Sequence, residues 1–202
     1  MTTISSFSRR SLLRFSALGT AALGTGALGA TALTAPARAD DVWTDEFMTR
    51  IETREGFDVN AMTDWQIENA RFIIAVAAGH GISAYGTQIA LATSIVEAWL
   101  YNYGPEVDYD SGGLFQQRPA MGWGTYDQVR HKKLAIDAFF GLGEHSQNPG
   151  LLDLTPDYKG MDFGAAAQAV QRSAHPERYG EMRGAAEAIW DRFAADVQPY
   201  VG

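Results

Sequence analysis

From Phe72 to Pro105 the chain carries one formally charged side chain, Glu97, set in the stretch Ala-Thr-Ser-Ile-Val-Glu-Ala-Trp-Leu at 92–100. That one charge sits in the apolar end of what reads as a helix. Its apolar residues recur at helical rather than strand spacing. Turned at about 100 degrees per residue, Ile89, Ala92, Ile95, Val96 and Trp99 gather on one side as the core face. Glu97 falls on the flank of that face. Ala90, Thr93 and Ser94 lie beside it one or two turns back, and Tyr101 lies four residues on. Small neighbours leave room at the carboxylate. Desolvation there raises a carboxyl pKa, as a general acid requires, while hydroxyls donating to the charged form lower it, so the two effects oppose. The plain alternative is a solvated glutamate near a helix end, where the macrodipole mildly disfavours it.

The rest of the chain reads as mainly α. A short helix is expected over 43–56. Thr63 and Gln66 form a T-x-x-Q capping box opening a helix that stops at Gly79-His80-Gly81, and Ser83 starts the next, ending near Leu100. Residues 101–123 lose the period and fill with Gly, Asp, Tyr and Pro, which predicts a long functional loop. Thr125 and Gln128 make a second box, opening a helix to about Phe140. Residues 141–161 are irregular, and two helices follow over 162–174 and, with Pro176 in its first turn, 176–197. Strand signals are poor and no internal repeat is visible, so residues 40–202 are expected to form one domain.

Residues 1–39 read as an export leader. Ser-Arg-Arg-Ser-Leu-Leu-Arg at 8–14 has the twin-arginine pattern, a Gly/Ala/Leu run follows, and Ala37 and Ala39 mark a cleavage site before Asp40. The expected location is therefore outside the cell or in the cell wall. The leader contains four of the 16 Lys and Arg and none of the 24 Asp and Glu, which leaves a mature chain of charge −12. That balance argues against nucleic-acid binding and against an anionic membrane surface as partner. With no cysteine there is no disulfide framework or thiolate chemistry. A monomer is expected, with no cofactor and no metal.

The loop after Glu97 carries the chemistry that a sugar site needs. Val-Asp-Tyr-Asp-Ser-Gly-Gly-Leu-Phe-Gln-Gln-Arg-Pro, 107–119, combines acids, glycines, amides and aromatics. A pyranose has polar edges and apolar faces, which amides and aromatic rings match. Gly112 and Gly113 are expected to let backbone approach a ligand, with Gln116 and Gln117 bonding hydroxyl and acetamido groups. Leu114 and Phe115 read as core. Other motifs carry less. Gly-Thr-Gly-Ala-Leu-Gly at 24–29 lies in the leader with no strand before it. The acidic loop at 108–113 has Pro119 where an EF-hand needs glutamate. His80, His131, His145 and His175 show no metal-ligand spacing, and no G-x-S-x-G elbow exists. Glu55 before Gly56 is a minor rival acid.

Glu97 at a helix end, Gly-Leu-Phe-Gln-Gln-Arg-Pro at 113–119, Trp-Gly-Thr at 123–125 and Ala-Ala-Ala-Gln-Ala-Val-Gln-Arg-Ser-Ala at 165–174 together resemble the lysozyme-like superfamily. The likeness is to its soluble lytic transglycosylase and goose-type lysozyme branch and to actinobacterial secreted lysozyme-like domains, over residues 68–180. The resemblance implies a lysozyme-like single domain, with a long substrate loop between helices, that cleaves peptidoglycan glycan strands. Glu97 would be the general acid, and water or the sugar's own 6-hydroxyl would finish the reaction. Asp110, or less favourably Asp108, would be the second carboxylate. Ser94, Tyr101, Gln116, Gln117 and Gln171 would be substrate contacts. One position departs from the family pattern: Ala98 stands where serine follows the acid, with Thr93 or Ser94 as substitutes for its hydroxyl. A glycan- or wall-binding protein of the same fold that has lost the chemistry is the alternative this departure allows.

Overall fold

Thr63 starts the first described α-helix as the sequence predicts. Its Oγ1 accepts from the Gln66 backbone N–H while Gln66 Oε1 accepts from the Thr63 N–H, which satisfies two of the orphan donors at a helix start. The computed structural model describes residues 57–104 and 109–202, all within one compact unit, Val42–Gly202. The leader, the expected helix over 43–56, Glu55 and Asp108 lie outside the described residues.

The described residues are mainly α-helical. Helix α1, Asp64–Gly79, buries Gln66, Asn69, Ala70, Ile73, Ile74, Val76 and Ala77, a stripe at three- and four-residue spacing. Gly81, at φ 68, turns the chain, and Ser83 caps α2, Ala84–Ala98. Five further α-helices follow: α3, Tyr126–Arg130; α4, Lys132–Phe140; α5, Phe163–Gln171; α6, Glu177–Glu181; and α7, Arg183–Phe193. Helix α2 is the hub and packs against α1, α5, α6 and α7. It is buried on every side rather than along one stripe, because Ala90, Leu91, Thr93 and Ser94 are as enclosed as the expected core residues. Small residues suit that position, since they let four helices approach one axis.

Two expected helices are broken. The one expected from Thr125 to Phe140 divides at His131, whose backbone is extended (φ −79, ψ 110). Asn102 Nδ2 takes the Arg130 carbonyl at 2.9 Å, and His131 Nδ1 accepts from the Leu134 N–H at 3.5 Å, so both new helix ends find partners. The last expected helix divides at Met182 (φ −86, ψ 2) into α6 and α7, with Pro176 preceding α6 and a 3-10 turn over Ala194–Asp196. The break at His131 has a tertiary partner that local propensity does not report. Between α2 and α3 the chain forms a 3-10 turn at Pro119–Met121 and two isolated bridges, Tyr103 with Gly113 and Gly112 with Gln117. Leu114 and Phe115 are core, and Phe115 stacks on Phe139 of α4 at 4.7 Å.

Candidate functional site

Every residue from Ile89 to Tyr101 is buried except Glu97, which is half-buried. From Ile89 onward the central helix therefore meets the surface at its one carboxylate. Tyr179 of α6, fully buried, donates its phenolic O–H to Glu97 Oε1. A phenol donates to an ionised carboxylate and accepts from a protonated one, so this partner serves Glu97 in either state.

The chain leaves Glu97 through an unusual turn. Trp99 and Leu100 both lie in the left-handed region, at φ 53 and 60. Glycine is the residue that takes this conformation freely at a helix C-terminus. For bulky side chains each such residue costs on the order of 1–3 kcal/mol, so the surrounding structure has to hold the turn. It does so with backbone and side chains. Trp99 N–H donates to Ile95 O, Leu100 N–H to Ser94 O, and Tyr101 N–H to Ala98 O. From α1, Gln66 Nε2 donates to Trp99 O at 2.9 Å and Asn69 Nδ2 to Leu100 O at 2.8 Å. The Phe57 ring meets Trp99 edge-on at 5.1 Å.

Asp110 is engaged by its own loop. Its carboxylate accepts from the Ala120 N–H at 2.6 Å and from Arg118 Nε at 2.8 Å. These donors, the Ala120 amide first, hold its carboxyl below the ordinary aspartate range. Gly112 and Gly113 do permit a close approach, but the approaching atoms are the protein's own. A Cβ on Gly112 would lie 2.4 Å from the Arg130 guanidinium carbon, and one on Gly113 1.9 Å from the Val129 carbonyl oxygen. Arg130 is the anchor of this region. It donates to Gly104 O at 2.6 Å, Tyr126 O at 3.1 Å and Ser111 O at 3.1 Å, and stacks over the Tyr126 ring at 3.4 Å.

The remaining candidates divide between interior and surface. Gln116 is half-buried in a left-handed backbone at φ 47, with Nε2 donating to Gly113 O at 3.1 Å. Gln117 is buried and points into α4, donating to Ala135 O at 3.0 Å. Gln171, half-buried at the end of α5, donates to Phe115 O at 3.1 Å and so joins the late helix to the Gly-Leu-Phe-Gln segment. Tyr101 is buried, its hydroxyl 2.9 Å from Thr63 Oγ1, and burial raises its pKa against the lowering effect of that bond. Ser94 is fully enclosed, and its Oγ has no hydrogen-bond partner among the described residues. Ala98 is enclosed as well, so a hydroxyl at that position would face the interior.

Tyr179, Asn69 and Arg130 are participants that sequence reading did not single out, and Gln66 it read only as a helix cap. Each acts across 19 or more positions on at least one partner, 82 in the case of Tyr179. The one available signal was Gln66 and Asn69 as polar residues on the buried stripe of α1. Among the described residues no group of three or more His, Asp or Glu could hold a metal ion, and no helix is long and apolar enough to cross a membrane. Compared with known proteins, the chain matches no family model and no curated sequence.

Proposed function

We propose that this protein is an exported enzyme with a lysozyme-like fold that cleaves the glycan strand of peptidoglycan, with Glu97 as general acid. The observation that carries the reading is the placement of Glu97. It is the one residue of the buried helix end that reaches the surface, and a buried phenol is fixed on its carboxylate. Protonated Glu97 delivers its proton to the glycosidic oxygen as the bond to the leaving sugar breaks. Tyr179 then donates to the carboxylate that remains, a charge-assisted bond stronger than the neutral one it replaces. Gln116 and Gln171, both half-buried and bonded to the Gly113 and Phe115 carbonyls, are the amides that on this reading meet sugar hydroxyl and acetamido groups.

Both Asp110 oxygens are occupied by the Arg118 and Ala120 donors. This supports a mechanism in which Asp110 does not orient the water and the substrate's own acetamido group steadies the oxocarbenium-like state. Asp110 then serves as a staple of the loop. Ser94 and Tyr101 support the helix end from inside, and Gln117 fixes the loop to α4.

The test is incubation of the mature protein with purified peptidoglycan and analysis of the new glycan ends. Cleavage with 1,6-anhydromuramic ends identifies a lytic transglycosylase, and cleavage with reducing muramic ends a hydrolase. Retained glycan binding with no new ends would refute the enzyme and leave a binding protein of the same fold.

A further inference from the structure

The two left-handed residues after Glu97 are held by α1, a helix that supplies nothing to the proposed chemistry. Helix-end carbonyls lack intrahelical partners. Here the carbonyls of Trp99 and Leu100 are taken by the amides of Gln66 and Asn69, at 2.9 and 2.8 Å, both side chains being buried. A carbonyl only accepts, so the amide nitrogen of each side chain has to face it. For Asn69 this orientation has a consequence: its Oδ1 is buried without a partner among the described residues. Buried polar atoms are nearly always paired, so an acceptor left bare to keep a donor in place marks a bond with a purpose.

We propose that Gln66 and Asn69 are positioning residues for Glu97, acting as a two-point clamp on the turn that follows it. This inference rests on the reading of Glu97 as the acid. The coupling is short. The clamped residues close the last turn of α2 through Trp99 N–H to Ile95 O and Leu100 N–H to Ser94 O. Glu97 lies inside that closed turn. With the clamp released, only the backbone bonds and the Phe57 ring oppose the cost of two left-handed residues, so the last turn loosens and the carboxylate leaves the place at which Tyr179 meets it. Gln66 does this while its Oε1 completes the Thr63 cap, so one side chain links the start of α1 to the end of α2.

Two substitutions separate the clamp from general stability. Asn69→Leu keeps the branched outline in a somewhat larger side chain and removes the bare acceptor together with the donor. Gln66→Glu keeps the acceptor for the Thr63 N–H and sets a carboxylate oxygen, which cannot donate when ionised, against Trp99 O. Tyr85→Phe, which deletes a half-buried bond to Met161 O at the far end of α2, is the control. On peptidoglycan glycan strands Asn69→Leu and Gln66→Glu are expected to lower kcat by about tenfold or more with KM within about twofold, since misplacing a catalytic group by about 1 Å can cost 10²-fold. Tyr85→Phe is expected to match wild type in both. An unchanged kcat in Asn69→Leu overturns the proposal. A crystal structure of Asn69→Leu decides the same question without activity. Relaxed φ at 99 and 100 with a broken Glu97–Tyr179 contact supports the clamp, and an unchanged turn and contact overturn it. Failure of the wild-type protein to cleave glycan would refute the proposed function while the crystal structure still decides the clamp.

Discussion

Replacing Gly113 with alanine separates a loop built to approach a sugar from one built to approach its own helix. Gly113 sits at φ 73, where any other residue costs roughly 1–2 kcal/mol. The added Cβ would lie 1.9 Å from Val129 O and 3.0 Å from its carbonyl carbon, where 3.4 Å is an ordinary contact, so the loop must withdraw from α3 by about 1.5 Å. Withdrawal stretches the Gly113 N–H bond to Tyr103 O, now 2.9 Å, which contributes about 1 kcal/mol. It also pulls on Leu114 and Phe115, buried to 0 and 1 % exposure, each contributing about 1.5–3 kcal/mol when fully enclosed. Partial relaxation recovers some of this, so Gly113→Ala is expected to destabilise the protein by at least about 3 kcal/mol. For a chain of this size that lowers Tm by roughly 6–12 °C. Gly104→Ala, with no atom within 4 Å of its Cβ, should stay within about 0.5 kcal/mol of wild type. The assay is thermal and urea unfolding followed by circular dichroism, with no ligand present. Stability within about 0.5 kcal/mol of wild type for Gly113→Ala would refute the packing argument and return the glycine to a role in ligand approach.

Three further outcomes are expected. Tyr179→Phe keeps the buried ring but loses the donor to Glu97, and should lower glycan cleavage by about 10- to 100-fold, the worth of a hydrogen bond to a charged group, as read by kcat. Arg130→Met removes three bonds to backbone carbonyls and should cost at least about 2 kcal/mol in unfolding, with faster amide exchange at Gly112 and Gly113. Asp110, whose carboxyl is held below its ordinary value of 3.8, contributes stability that is complete above that value and is lost as pH falls through the lower folded one. Asp110→Asn should therefore be less stable than wild type at neutral pH, with the difference closing below about pH 4, measured by unfolding at several pH values.

What the sequence disclosed and what it concealed follow from the range of each interaction. Both T-x-x-Q boxes form as predicted, because a capping box is complete within four residues. The helix carrying Glu97 and the core positions Leu114 and Phe115 were equally legible, as a period and as apolar identity. The break at His131 was not, since the partner that takes the Arg130 carbonyl, Asn102, lies 28 residues away; for the break at Met182 the described residues offer no such partner. Composition identified the loop at 107–119 as rich in hydrogen-bonding groups but gave no direction to them. Gln117 and Asp110 turn to the protein, and the space beside Gly112 and Gly113 is taken by Arg130 and Val129. Glu97 stood out as the lone charge, whereas Tyr179 sits 82 residues on with nothing in its neighbours to mark it.

The most direct test of the central claim is the rate at which the mature protein and its Glu97→Gln variant release new glycan ends from purified peptidoglycan. Glutamine keeps the shape and the contact with Tyr179 but has no proton to give. The account predicts a loss of about 10²-fold or more at unchanged stability, the usual worth of a general acid. Equal rates for the two proteins would contradict it.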